Sequence, residues 1–123
     1  MGYPKLDDLE VYKLANQIAE IVYNNVQNWG RFHLYSIGNQ LIRSIDSVAA
    51  NIAEGYGRYF YKDNIRFCYY ARGSLYESKL WIQKSYEREL FSENIYTEIL
   101  TNLELLSRQL NAYINYLYAS IKR

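Results

Sequence analysis

The stretch ILTNLELLSRQLNAYINYL, residues 99–117, decides the fold. Ile99, Leu103, Leu106, Leu110, Tyr113 and Leu117 recur in it at alternating steps of four and three, which is the a/d seam of a helix that packs against other helices. Its flanks are polar, with Glu98, Thr101, Asn102, Glu104 and Arg108 among them. Ser92 stands where an N-cap belongs, so a helix is predicted from there almost to the C-terminus.

Working outward, three earlier segments show the same rhythm. Asp7 with Glu10 makes an acidic capping box, and Val11, Leu14, Ala15, Ile18, Ile21, Val22 and Val26 follow at helical steps up to Gly30. A second helix is expected from about Ser36 to Glu54, with Leu41, Ile45, Val48 and Ile52 on one stripe and Gly55 as a left-handed C-cap that Gly57 reinforces. A third, from about Phe60 to Arg88, carries Phe67, Cys68, Ala71, Leu75, Ser78 and Ile82 on one face. Gly73 lies in its middle, at a cost of about 1 kcal/mol against alanine.

The one proline is Pro4, and no segment alternates at period two between turn residues, so strands have no support. The connections Gly30 to Tyr35, Gly55 to Tyr59 and Glu89 to Phe91 are short, and short loops make consecutive helices antiparallel. An all-α, up-down-up-down four-helix bundle follows, as one domain over residues 1–123.

Composition narrows the function. Of 123 residues, 14 are basic and 13 acidic, for a net charge of +1, so no global field drives binding to nucleic acid or an anionic membrane. No run of about 18 apolar residues is present to span a membrane, and the N-terminus has no signal-peptide pattern, so a cytoplasmic setting is expected. The single cysteine, Cys68, and single histidine, His33, cannot build an intramolecular disulfide or a transition-metal site within one subunit, and His33, expected in the loop between the first two helices, is read as a solvated side chain rather than the base of a hydrolytic triad. No catalytic residue, metal site or cofactor is predicted. Gly55-Tyr56-Gly57 lacks both the preceding strand and the Gly-Lys-Ser/Thr of a phosphate loop. Glu54 opposes the helix dipole at a C-terminus and is expected to have a partner, either an arginine such as Arg43 or Arg58 or backbone amides at the following turn.

Two surface features remain. Opposite the core stripe of the third helix stand Tyr69, Gly73, Tyr76 and Leu80, spaced four, three and four apart as a second packing seam requires, with the glycine permitting close backbone approach. Scattered surface apolars are the plain alternative, but a bundle this small gains stability from association, so these four are expected to form a subunit interface. On the second helix Gln40, Arg43, Ser47, Asn51 and Glu54 make a polar stripe that the core does not need. The segment from Tyr56 to Tyr76 holds Arg58, Lys62, Arg66 and Arg72 against one acid, Asp63, for a local charge of +3. Tyrosines such as Tyr59 are interleaved with these cations. Cations beside aromatic faces suit phosphate contact and base stacking on nucleic acid; tyrosine and arginine are also what protein interfaces enrich. Both readings stand.

The pieces Gln40-Leu-Ile-Arg43, Ser47-Val-Ala-Ala-Asn51-Ile-Ala-Glu54-Gly55, Gly57-Arg58, Lys62-Asp63, Ile65-Arg-Phe67 and Ala71-Arg-Gly73-Ser74-Leu75-Tyr-Glu77 resemble the 23S rRNA-intervening sequence protein family over nearly the whole chain. The resemblance implies a bacterial four-helix bundle that assembles as a homopentamer. It also implies kinship with the accessory protein of diversity-generating retroelements, so RNA or a reverse-transcriptase-like protein becomes an expected partner beside the chain itself. By the same resemblance Asn51, Glu54, Gly55, Arg58, Gly73, Ser74 and Glu77 occupy motif positions, which implies that they hold the corner between the second and third helices and the subunit contact. Phe60 departs from the pattern, standing where a Ser or Thr cap is expected, and the near-zero net charge departs from the basic character of the retroelement relative.

Overall fold

The computed structural model describes residues 4–121, and among these every regular element is helical. A 3-10 turn, Leu6–Asp8, leads into α1 (Glu10–Val26). A short α-helical turn, Arg31–His33, and a π-helical segment, Leu34–Gly38, run without a break into α2 (Asn39–Tyr56). Then come α3 (Tyr61–Glu87) and α4 (Glu93–Ile121).

Each helix packs on its sequence neighbours, and α1 closes the ring against α4. The directions are antiparallel throughout. Gly38 at the head of α2 lies on Val26 at the tail of α1, Gly55 near the tail of α2 lies on Asn64 and Phe67 near the head of α3, and Tyr86 stacks on Tyr96 across the α3–α4 turn at 4.0 Å. At the other side Leu9 and Val11 share a groove with Gln109 and Tyr113. This is the up-down-up-down bundle that the four stripes require.

The core is the union of those stripes. All six seam residues of α4 are buried, as are Leu41, Ile45, Val48 and Ile52 on α2, Cys68, Ala71, Leu75, Ser78 and Ile82 on α3, and the α1 stripe apart from a half-buried Ile21. Phe67 is also only half-buried. Two polar links cross this interior: Ser78 Oγ donates to Ser44 Oγ at 3.0 Å, and Asn64 Nδ2 donates to the Tyr113 hydroxyl at 3.1 Å. Polar groups in a dry core must be paired, so each link favours one register of its helix pair over slipped ones.

Four expectations are corrected at helix ends. Asp7 lies in the 3-10 turn and does not cap α1; Leu9 holds the N-cap position with no side-chain bond, and Glu10 pairs with Lys13 at 3.1 Å. The first helix stops at Val26 rather than Gly30. The segment from Gly30 to Tyr35 is not a loop, because from Arg31 the chain is already helical, with His33 inside it. The π turn is closed by the Asn39 N–H on the Leu34 carbonyl, and within it Gly38 packs so near Val26 that a Cβ would come within 3.0 Å of the valine. Gly55 is not a C-cap: the helix passes through it to Tyr56, and among the described residues no glycine has positive φ. A Cβ on Gly55 would come within 2.7 Å of Asn64 Oδ1, 2.8 Å of Phe67 Cβ and 3.0 Å of the Asn64 carbonyl, so this glycine lets α2 and α3 approach. Ser92 caps α4 as expected, accepting the Ile95 N–H at 3.2 Å.

Candidate interaction surface

The α2–α3 corner gathers most of the cations singled out in the sequence. Phe60 starts α3 with no side-chain cap; its carbonyl takes the Asp63 and Asn64 N–H groups, and Asp63 adds an acid to the first turn. Glu54 pairs with Arg58 at 2.9 Å, which answers the unfavourable dipole at the end of α2. Arg58 lies over the Phe67 ring at 4.7 Å, and Arg66, paired with Asp63 at 3.4 Å, reaches the same ring at 5.7 Å. One half-buried phenyl thus holds two guanidinium groups in place. Phe67, read as core in the sequence, is their platform.

Tyr59 is 91% exposed and meets Phe60 edge to face at 4.9 Å. With Tyr56, Arg58, Tyr61 and Asn64 these two rings line a hollow of about 230 Å³. Beside it Lys62, Phe60, Tyr61, Asp63, Ser120 and Ile121 line a more open groove of about 600 Å³. Arg72 does not join this cluster. Six residues beyond Arg66 at about 100° per residue, it lies some 120° round the helix, half-buried toward α4.

The second seam of α3 is solvent-facing in the single chain. Tyr69 is 43% exposed, Tyr76 55% and Leu80 46%, and a Cβ on Gly73 would meet nothing within 4 Å. The Tyr69 hydroxyl shares a hydrogen bond with that of Tyr118 at 3.3 Å, which holds the Tyr118 phenol above its ordinary range, with burial and the Tyr69 charge adding to the effect. Lys79 sits over the Tyr76 ring at 5.0 Å. Lys62 and Arg66 are exposed on the same side of α3 as the seam, about two turns and one turn before Tyr69.

The remaining motif residues are local braces. Asn51 donates to the Ser47 carbonyl at 2.9 Å, the Ser74 carbonyl accepts from Ser78 at 2.8 Å, and Glu77 accepts from the Trp81 indole at 3.0 Å. Gln40, Arg43, Ser47, Ser74 and Glu77 rim a shallow hollow of about 130 Å³ above the Ser44–Ser78 link. Asn64 is the residue that the sequence reading passed over. A buried amide on the apolar stripe, it bonds Tyr113 and lies against Gly55, joining three helices at one point. Its signal was visible as a polar residue at a core angle of the helical wheel.

For chemistry the chain provides little. Burial pushes the Cys68 thiol up to about 12, so it stays protonated and unreactive. His33 packs edge-on to Phe32 at 5.2 Å. Among the described residues no three metal-ligating side chains cluster, and no helix is long and apolar enough to cross a membrane.

A solved structure from Bacteroides thetaiotaomicron, described as a protein with unknown function from the S23 ribosomal protein family, is similar with a TM-score of 0.73 at 19% identity. The match covers 84% of this chain and 96% of that one, and at that identity the likeness is one of fold. None of the curated proteins matches. The profile of the 23S rRNA-intervening sequence proteins matches residues 7–112, taking in the α2–α3 corner and both seams of α3, and the chain belongs to that family.

Proposed function

We propose that the chain is a non-enzymatic binding module that assembles with itself through the outer face of α3 and holds RNA by its phosphates at the α2–α3 corner. One observation carries this reading: Lys62, Arg66, Tyr69, Gly73, Tyr76 and Leu80 form one continuous exposed stripe, basic at its start and apolar-aromatic beyond. The apolar part matches what subunit contacts bury, and the basic part matches what phosphates take. Arg58 and Arg66 already have acids, but exposed ion pairs contribute at most about 1 kcal/mol, so a phosphate can displace Glu54 or Asp63 at little cost. Tyr59 supplies a face on which an unpaired base can stack. The family resemblance favours a pentamer acting in the cytoplasm, and repetition of the corner on every subunit turns a weak site into avidity.

The same ion pairs support a second reading, a protein-binding scaffold that contacts no nucleic acid. Salt separates the two. Phosphate binding predicts oligomers by light scattering at micromolar concentration and an RNA affinity that falls steeply between about 50 and 200 mM salt. Replacing Arg58, Lys62 and Arg66 together with alanine flattens that slope while the oligomer persists. Oligomers with no RNA shift at about 50 mM salt would establish the scaffold instead.

A further inference from the structure

Two rings of the α2–α3 turn have no task in the fold. Phe60 holds the N-cap position of α3 in extended conformation, with φ −96° and ψ 139°, but a phenyl cannot accept an N–H, so the helix begins without a side-chain cap. The ring is not buried in exchange. Phe60 is 63% exposed, and Tyr59 beside it lies almost wholly in solvent. Adjoining exposed rings of this size mark a contact with something outside the chain.

The surroundings of the rings define its chemistry. The hollow of about 230 Å³ and the groove of about 600 Å³ share one wall, formed by Phe60 and Tyr61. On one side of it the hollow is bounded by Tyr56 at the tail of α2, and on the other the groove is bounded by Ser120 and Ile121 at the tail of α4. Each cavity has its own cation, Arg58 for the hollow and Lys62 for the groove. The hollow is smaller than the roughly 300–1,000 Å³ of sites that enclose drug-sized molecules, so it takes one ring system. Tyr59 and Phe60 stand at 82° to each other, so no single flat ligand lies face-on to both. Flat rings joined by anionic links, one ring to each side of the wall, meet all of these conditions at once. Single-stranded nucleic acid has that construction.

We infer that the RNA held at this corner is an unpaired strand, with successive bases seated on either side of the Phe60–Tyr61 wall and phosphates on Arg58 and Lys62. This rests on the RNA reading above and adds to it the class of RNA. A duplex satisfies the cations but not the rings, because each of its bases is covered on both faces by its neighbours. A loop, a bulge or a free end offers splayed bases that an aromatic side chain can reach.

Fluorescence anisotropy tests this with an unstructured RNA strand of about twelve nucleotides and a blunt RNA duplex of the same length. At equal salt the wild type is expected to prefer the strand by about ten-fold or more. Tyr59→Ala and Phe60→Ala each remove a ring and no charge. Each should lower strand affinity by about ten-fold while leaving duplex affinity and the salt slope unchanged. Phe60→Ser separates recognition from folding: it gives α3 the hydroxyl cap it lacks, so the melting temperature rises by about 2–5 °C while strand affinity falls as in the alanine variant. Ultraviolet cross-linking of the strand, read by mass spectrometry, should place bases on Tyr59 and Phe60. Strand affinity that survives both ring deletions, or equal wild-type affinity for strand and duplex, would overturn the inference and leave the corner a plain phosphate clamp. No binding of either RNA at about 50 mM salt would instead remove the RNA reading itself, and this inference with it.

Discussion

Glu89 ends α3 in the left-handed region, with φ 63°, the only non-glycine residue of positive φ among those described. Around it the Leu90 N–H reaches the Ser85 carbonyl at 2.8 Å and the Glu89 N–H reaches Tyr86 at 2.9 Å, the paired bonds of a Schellman ending. Glycine usually occupies that position because a Cβ there costs about 1–2 kcal/mol. Glu89→Gly is therefore expected to stabilise the fold by about 0.5–1 kcal/mol, part of the relief being offset by the freer unfolded chain. Thermal or urea unfolding reads it directly. Asp46 gives a second test at this scale. Its carboxyl is raised above the ordinary 3.8 by burial and by the charge of Glu20 on α1. A folded state that holds its proton more tightly than the unfolded chain loses stability as pH rises from the ordinary value through the raised one, and the loss persists at neutral pH. Asp46→Asn should accordingly stabilise the fold at pH 7, by less than about 1 kcal/mol for so exposed a group, and raise the melting temperature with it. That gain should shrink to nothing below about pH 3, where both carboxyls are protonated. An equal gain at both pH values would remove the electrostatic explanation.

Between elements, the two central glycines do opposite things. At Gly55 a methyl would strike the backbone carbonyl of Asn64 and the Phe67 Cβ, neither of which can swing aside. Overpacking of this kind costs about 1–3 kcal/mol, against about 1 kcal/mol gained in helix propensity. Gly55→Ala is expected to destabilise by up to about 2 kcal/mol and, by forcing α2 from α3, to weaken the Asn64–Tyr113 bond; denaturant unfolding measures the first and the Asn64 side-chain amide resonances report the second. The sequence invites the wrong role for Gly55 because Gly-Tyr-Gly after an apolar stripe has the composition of a helix ending. What decides otherwise is a neighbouring helix nearly ten residues away in the chain, which no local pattern contains. The stripes themselves were legible apart from the half-buried Ile21 and Phe67 and the buried Asn64, since burial follows from spacing wherever a helix has one apolar side. The same spacing sets Tyr69, Gly73, Tyr76 and Leu80 together on the opposite, exposed face of α3. Helix ends such as Leu9 and the π turn were illegible because they are set by fit between helices rather than by capping chemistry.

At the scale of the whole molecule, Gly73 separates folding from assembly. In the single chain it sits mid-helix with ordinary φ and nothing near its missing Cβ, so its cost of about 1 kcal/mol in helix propensity has no return inside the bundle. In an assembly the return is close approach of a neighbour. Gly73→Ala should therefore raise the stability of the isolated chain by about 1 kcal/mol and weaken self-association at the same time. The two effects are separable by concentration. An associating protein melts at a temperature that climbs with concentration, because the assembled state is favoured by mass action. The wild type is expected to show that climb from sub-micromolar to tens of micromolar protein. The alanine variant should begin higher, by about 4 °C at the dilute limit, and stay flat. Parallel curves for the two proteins, displaced by a constant amount, would mean that Gly73 has no part in any contact, and the outer face of α3 would then have to be read as plain solvated surface.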